Sequence, residues 1–321
     1  MKQKRVLIFA LVCLLAGILF MAWDMFFSQQ ETSVNPYAYE IKALRASDTL
    51  LTRYTEVQQI KPGLSEIHGI ATGRDDRIYV AGDKGVEIYD REGKPEAVFP
   101  IEGSARCIEV DRNGLIYLGM QDHIEIYNRE GRRLKKWKTC GEEAIITSVA
   151  VNDDVIFIAD AGSKIVYWYD HSGNLLNRIG EKDPRKNIPG FVIPSPWFDI
   201  GIGHDGSLWV VNPGRHSFEK YTSDGELIYS WGKATMSMEG FCGCCNPSHF
   251  AVLSDGSFVT SEKGIERIKV YSPTGVFKCI VATPDSFNEG TKGLDLAVDS
   301  KDRILVLDPE RKQVRVFVLK K

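Results

Sequence analysis

The sequence lacks the features that mark several common classes of protein. Its 40 basic and 43 acidic residues give a net charge of −3 without any Lys/Arg-rich block, whereas a nucleic-acid-binding surface needs a basic face. It contains no Gly-x-Ser-x-Gly elbow, phosphate-binding loop, His-Glu-x-x-His motif or Cys-x-x-Cys-His haem site. Long helical patterns between strands, which a parallel α/β sheet requires, are also missing. These absences argue against a nucleic-acid partner and leave no enzyme class defined by a motif.

What the sequence does contain is a repeated strand pattern. Short runs of alternating apolar residues, joined by turns built on Asp or Gly, recur in six units that start near residues 69, 107, 148, 199, 249 and 295. Alternation with a period of two is typical of half-buried strands. Units of about 40–50 residues with four strands each are typical of β-propellers. The sequence therefore predicts an all-β fold, a six-bladed β-propeller.

The two ends of the repeat region predict how the ring closes. The sixth unit stops after its third strand, at Val316–Leu319, and a spare strand-like stretch, Leu50–Gln58, precedes the first unit. We expect this stretch to supply the outer strand of the last blade, because the pairing would cover two otherwise exposed edges. Residues 48–321 would then form the propeller, closed by its N-terminal strand.

The N-terminal region has a different composition. Lys2, Lys4 and Arg5 precede an apolar run from Val6 to Trp23, which is close to the length that spans a bilayer. Since no small-x-small cleavage site follows, we interpret 1–27 as a signal anchor with a single transmembrane helix, and a cleaved signal peptide is the alternative. Residues 28–47 are then a juxtamembrane linker. Both interpretations place the propeller on the extracytoplasmic, periplasmic side of the cytoplasmic membrane.

The repeats resemble those of a known family. The segments Asp299–Asp308 and Glu266–Tyr271 look like NHL repeats, and the resemblance extends over Ile67–Phe317. It implies a six-bladed propeller. It does not imply one activity, because such propellers include binding modules, enzymes and proteins of unassigned function.

The first residues of the six inner strands should form a ring at the mouth of the central channel. Asp199, His249 and Asp295 belong to this ring and come from adjacent blades. All three are residue types that can ligate a metal or bind a polar ligand. The alternative is that they cap turns or bond to neighbouring backbone. The full ring reads Gly69, Cys107, Ser148, Asp199, His249 and Asp295.

Cys242, Cys244 and Cys245 precede His249 in the middle one of three consecutive long loops that lead into blades four to six. Thiolate and imidazole groups suit zinc, copper or an iron–sulfur cluster. Outside the cytoplasm the same cysteines could instead form disulfides, for example with Cys140, or act as redox-active thiols. These three interpretations stay open at the level of sequence.

Basic residues are expected on loops of the same face. Arg215, Lys263 and Arg267 could bind an acidic ligand, and solvated loop charges are the alternative. We therefore expect a membrane-anchored extracytoplasmic propeller that acts as a binding or interaction module for a protein or small molecule, with Cys242–His249 on its recognition face. The second hypothesis is a metal-dependent enzyme, or a redox or metal-cluster protein, with its site at the channel mouth.

Overall fold

The computed structural model describes residues 4, 14–19, 21, 23, 49–138, 140–183, 190–222, 224–243 and 245–321. The chain divides into two units, Met1–Ile41 and Lys42–Lys321. In the first unit the described residues are helical. No helix within the described residues combines the length and the apolar character that a membrane span requires. The predicted anchor over 1–27 lies mostly outside the described residues, and the predicted linker over 28–47 lies entirely outside them.

The second unit is a six-bladed β-propeller, as the repeats predict. The first three blades are antiparallel sheets of consecutive strands. Blade one contains β2 (Ile67–Thr72), β3 (Ile78–Tyr89) and β4 (Pro95–Ser104); blade two contains β5 (Cys107–Val110), β6 (Ile116–Gly119), β7 (Ile124–Tyr127) and β8 (Arg133–Lys136); blade three contains β9 (Ile146–Val151), β10 (Ile156–Asp160), β11 (Ile165–Tyr169) and β12 (Leu175–Ile179). The long β3 pairs with β2 through its first half and with β4 through its second, so it serves as two strands.

The remaining blades follow the same plan. Blade four contains β13 (Ile200–Ile202), β14 (Leu208–Asn212), β15 (Ser217–Tyr221) and β16 (Leu227–Trp231); blade five contains β17 (His249–Val252), β18 (Phe258–Glu262), β19 (Arg267–Tyr271) and β20 (Phe277–Ala282); blade six contains β21 (Leu296–Val298), β22 (Ile304–Asp308) and β23 (Gln313–Leu319), together with β1 (Tyr54–Ile60). Within the described residues, single turns of 3₁₀ helix cover Thr49–Leu51, Pro213–Arg215 and Pro284–Ser286.

Apolar layers between neighbouring blades form the core. Between blades four and five this layer is aromatic: Phe218 stacks on Trp231 with ring centroids 4.4 Å apart, and Phe250 meets Phe218 edge-on at 5.1 Å. The middle strands pack on neighbouring blades through both faces, so β10, β14, β18, β19 and β22 are buried at every residue, whereas the outer strand β1 has exposed residues at every second position. The hairpin glycines that recur in the repeats occupy positive φ values of 75–90°, where other residues are strained. They are Gly93, Gly131, Gly173, Gly225 and Gly275.

The ring closes as the sequence predicts. β1 pairs antiparallel with β23, from Tyr54 opposite Leu319 to Ile60 opposite Val314. The strand begins later than the sequence suggests, because residues 49–51 form a 3₁₀ turn. Arg53 then donates its backbone N–H to the carbonyl of Ile280 at 3.0 Å. The N-terminal segment thus ties the last blade to blade five as well as completing its sheet.

Removing residues 1–61 should destabilise the propeller. The deletion exposes the edge of β23 and removes the buried side chains of Tyr54 and Ile60. We expect the melting temperature to fall by about 10 °C or more, since each kcal/mol lost from a domain of this size costs roughly 2–4 °C. Calorimetry should compare this variant with one that lacks residues 1–47, which keeps β1. Equal melting temperatures for the two variants would contradict a closing role for β1.

Candidate ligand site at the channel mouth

The polar ring predicted from the repeats is present at one end of the channel. Asp199, His249 and Asp295 lie at the starts of the inner strands of blades four, five and six. Nδ1 of His249 lies 3.4 Å from Oδ1 of Asp295 and 3.9 Å from Oδ2 of Asp199. The imidazole therefore faces a carboxylate from each neighbouring blade.

The two aspartates also join the blades. Asp199 accepts the backbone N–H of Phe250 in blade five at 2.8 Å, and Asp295 accepts that of Ile70 in blade one at 2.9 Å. Ser148, at the same position in blade three, accepts from Ile200 of blade four at 3.3 Å. The alternative interpretation, that ring residues bond to neighbouring backbone, therefore holds for Asp199 and Asp295, and for Ser148 as well. A glycine occupies the equivalent position in blade one, where a Cβ on Gly69 would lie 3.0 Å from the Cα of Cys107.

His249 is the ring residue with an unused polar atom. The residue is only 9% exposed, and its Nε2 has no hydrogen-bond partner among the described residues. Because carboxylates only accept hydrogen bonds, their position beside Nδ1 favours the tautomer with its proton on Nδ1. Nε2 of the neutral ring is then an acceptor without a donor. Trp197 holds the ring from the side, edge-on, with centroids 5.5 Å apart.

A cavity of about 580 Å³ opens above this histidine. Its volume lies within the range of about 300–1,000 Å³ that is usual for small-molecule sites. Its wall combines apolar surface with groups of both charges, contributed by the inner ends of several blades. The lining residues include Ile67, His68, Glu102, Arg106, Met120, Gln121, Asp122, His123, Thr147, Trp197, His249, Lys292 and Pro309.

Burial changes the protonation of the ring carboxylates. Burial raises the pKa of Asp199 to about 6, although the nearby His249 opposes this change and Asp295 adds to it. Burial likewise raises the pKa of Asp295. Glu109, two residues along β5 from the ring position, has its pKa raised to about 8, first by burial and then by the two aspartates. The channel therefore holds several carboxyl groups that are expensive to ionise.

The described cysteines of the segment Cys242–His249 do not line this cavity. Cys242 and Cys245 are 5% and 2% exposed, and no disulfide joins any two of the described cysteines, so the alternative of a bridge between Cys242 and Cys140 is not found. Among the described residues, no group of three or more His, Cys, Asp and Glu side chains is placed to hold a metal ion. Cys244 lies outside the described residues. The segment contributes His249 to the cavity, while its described thiols pack into blade five.

A buried cluster of charged side chains in blade five contacts the start of the cysteine segment. Glu262 accepts from the guanidinium of Arg267 at 3.0 Å and from Nζ of Lys269 at 2.6 Å, and all three residues are at most 2% exposed. Lys269 also donates to the carbonyl of Gly240 at 2.6 Å. Sγ of Cys242 lies 4.0 Å from this cluster, and burial raises its pKa, with the charge of Glu262 adding to the effect. Cys242 is therefore a packed thiol held in its protonated form.

The predicted basic residues of this face are engaged by the protein. Arg267 is buried in β19 rather than exposed on a loop, so that part of the prediction is wrong. Arg215 donates to the carbonyl of Gly190 at 2.7 Å, and Lys263 donates to Oγ of Ser195 at 3.1 Å. Both contacts brace the segment that leads into blade four and carries Trp197.

Comparisons with known proteins agree on the fold. No family model matches the chain, and no curated protein matches its sequence, so membership of the NHL family stays a prediction. Among solved structures, a streptogramin B lyase shares 11% identity and a TM-score of 0.61 over 84% of this chain and 98% of its own. The virginiamycin B lyase of Staphylococcus aureus shares 13% identity and a TM-score of 0.58, over 83% and 100% of the two chains.

A third similar structure has no assigned function. It is a protein from Bacteroides thetaiotaomicron with 12% identity and a TM-score of 0.62, over 84% of this chain and 76% of its own. At such low identities these similarities support the propeller fold alone.

The charge of Asp199 should make folding stability depend on pH. Its pKa is about 6 when folded and about 3.9 when unfolded, so the folded state binds more protons between these values and loses stability as pH rises through them. Asp199→Asn keeps an oxygen for Phe250 but removes this titration. In urea unfolding, we expect the free energy of unfolding of the variant, relative to that of the wild type, to rise by about 2–3 kcal/mol between pH 4 and pH 7.

Asp205→Asn is the matched control. The side-chain hydrogen bonds from Lys220 and Ser207 lower the pKa of Asp205 to about 2, so its contribution to stability is lost only as pH falls below 4. Its difference from the wild type should stay constant between pH 4 and 7. A constant difference for Asp199→Asn as well would contradict the burial argument.

Proposed function

We propose that this chain is a binding module that recognises a small molecule in the channel-mouth cavity. The observation that carries the proposal is His249, whose Nε2 is buried beside the cavity without a partner while its Nδ1 faces two carboxylates. A buried polar atom left without a hydrogen bond costs about 1–3 kcal/mol. A ligand with a hydrogen-bond donor would recover that cost. Small-molecule sites commonly combine an apolar wall with a few such placed polar groups.

A screen of small fragments against the full-length chain tests this proposal. The set should hold equal numbers of acids, bases and neutral compounds, with binding read by ligand-observed NMR and by thermal shift. We expect a subset to bind the wild type and to lose at least about tenfold in affinity in His249→Ala. His204→Ala is the control, because His204 bonds to the carbonyl of Leu253 at 3.0 Å and does not line the cavity. Fragment binding that never depends on His249 would refute the proposal.

A second candidate is an enzyme that uses His249 to move a proton. A general base needs one ring nitrogen held by an acceptor and the other within reach of the substrate. Nδ1 of His249 lies 3.4 Å from Oδ1 of Asp295 and the residue lines the cavity, so a substrate would have to displace the side chains that bury Nε2. The same screen separates the two candidates. The enzyme requires that a bound compound be chemically changed by the wild type, but not by His249→Ala, when the mixtures are reanalysed by chromatography after long incubation. If every bound compound is recovered unchanged, the enzyme is rejected and the binding module is the candidate that stands.

We further propose that residues 1–27 anchor the propeller on the extracytoplasmic side of the membrane. The apolar run after Lys2, Lys4 and Arg5 supports this proposal. In bacterial spheroplasts, externally added protease should leave a short N-terminal tag protected and remove a C-terminal tag. Protection of both tags in sealed spheroplasts would contradict the proposed orientation, and release of the full-length chain by carbonate washing would contradict an anchor.

A further inference from the structure

We infer that the ligand of the channel-mouth cavity is an organic anion with a partly apolar body. The inference rests on the proposed function, since it names the chemical class of compound that the same cavity would take. The charged groups around the cavity support it, because the carboxylates have partners within the protein and two of the cations do not.

Two cations of the cavity have no partner. Arg106 lies just before β5 of blade two and Lys292 in the segment that leads into blade six, and both side chains line the cavity. Both residues are exposed, and neither side chain makes a hydrogen bond or ion pair within the described part of the chain. Elsewhere on this face basic groups are engaged, as Lys312 is by Glu66 at 3.0 Å.

The acidic groups of the cavity wall are already paired. Glu102 lies 3.3 Å from Arg133, and Asp122 lies 2.6 Å from Nδ1 of His123. His68, a further histidine of the wall, faces Asp83 at 2.9 Å. A ligand entering the cavity therefore meets two cations without partners among the described residues and carboxylates that each already have a partner, Arg133 for Glu102 and His123 for Asp122.

The ring carboxylates below do not reverse this preference. Each of Asp199 and Asp295 accepts a backbone N–H from the next blade, and the imidazole of His249 lies between them. Burial raises the pKa of both groups, that of Asp199 to about 6, so the negative charge of Asp199 falls as the pH is lowered toward 6. The ring therefore opposes an anion least at mildly acidic pH.

The rest of the wall suits an apolar body. Trp197, Met120, Ile67 and Pro309 line the same cavity as the two cations. An aromatic or aliphatic acid would place its body against these side chains and its anionic group near Arg106 and Lys292, where charge-assisted hydrogen bonds are the strongest available. The body would lie beside the ring of His249, which lines the same cavity.

Three probes of the same shape test the sign of the charge. Benzoate, benzamide and benzylamine should be titrated into the full-length wild-type chain by ligand-observed NMR at low ionic strength. We expect benzoate to bind best. In the double variant Arg106→Gln/Lys292→Gln, benzoate affinity should fall by about tenfold or more while benzamide changes by less than about threefold. The charge-conserving Arg106→Lys/Lys292→Arg should keep most of the benzoate affinity.

The double variant Arg74→Gln/Lys301→Gln is the matched control. Both residues are exposed, lie in turns at the other ends of the inner strands, and do not line the cavity; their loss should leave benzoate binding unchanged. The inference is overturned if the wild type prefers benzylamine or benzamide, or if Arg106→Gln/Lys292→Gln binds benzoate as tightly as the wild type does. Binding of benzamide or benzylamine that depends on His249 would overturn only the anionic class. Binding of none of the three, together with a fragment screen without dependence on His249, would overturn the proposed function too.

Discussion

The propeller depends on hydrogen bonds between inner strands where neighbouring blades meet. Each inner strand presents backbone N–H groups toward the channel, and a buried N–H without a partner is costly. Asp199, Asp295 and Ser148 meet this need by accepting from the next blade. The carboxylates that join the blades are also the groups that face His249. Stability of the ring and the chemistry of the channel mouth are therefore built from the same side chains.

This sharing explains why the ring includes buried carboxyl groups at all. A serine such as Ser148 also accepts from the next blade, so bonding between blades does not require an ionisable residue. Asp199 and Asp295 carry an added cost of desolvation, which raises their pKa values. Their second role, to face Nδ1 of His249 from both sides, accounts for that cost. Interactions of this kind reduce stability in order to orient a functional group.

The fold could be predicted from the sequence because it rests on local, repeated signals. Alternating apolar residues and hairpin glycines mark each strand pair. The sixth unit lacks a fourth strand, and this gap indicated that β1 completes its sheet. The alignment of the repeats also brought Asp199, His249 and Asp295 together, since equivalent positions of a propeller meet around one axis.

The cationic part of the cavity wall, formed by Arg106 and Lys292, could not be predicted from the repeats. Arg106 and Lys292 lie in segments between repeats, whose conformation depends on packing rather than on period. The cysteine segment was misleading for a related reason. Its dense chemistry suggested an exposed site, whereas Glu262 and its two buried cations hold it inside blade five, and pairing between residues so far apart in sequence leaves no periodic trace.

The buried cluster and the channel ring differ in whether their polar atoms are paired, and this difference is why the proposed function is placed at the ring. In the cluster, both carboxylate oxygens of Glu262 are paired and Lys269 is surrounded by acceptors, so further contacts would require breaking existing ones. In the ring, Nε2 of His249 remains unpaired beside an open cavity. A buried network whose hydrogen bonds are all made rigidifies a fold, whereas an unpaired polar atom beside a cavity can form a stabilising hydrogen bond with a ligand. Under the proposed function, the cysteine segment contributes to recognition through His249, at which it ends.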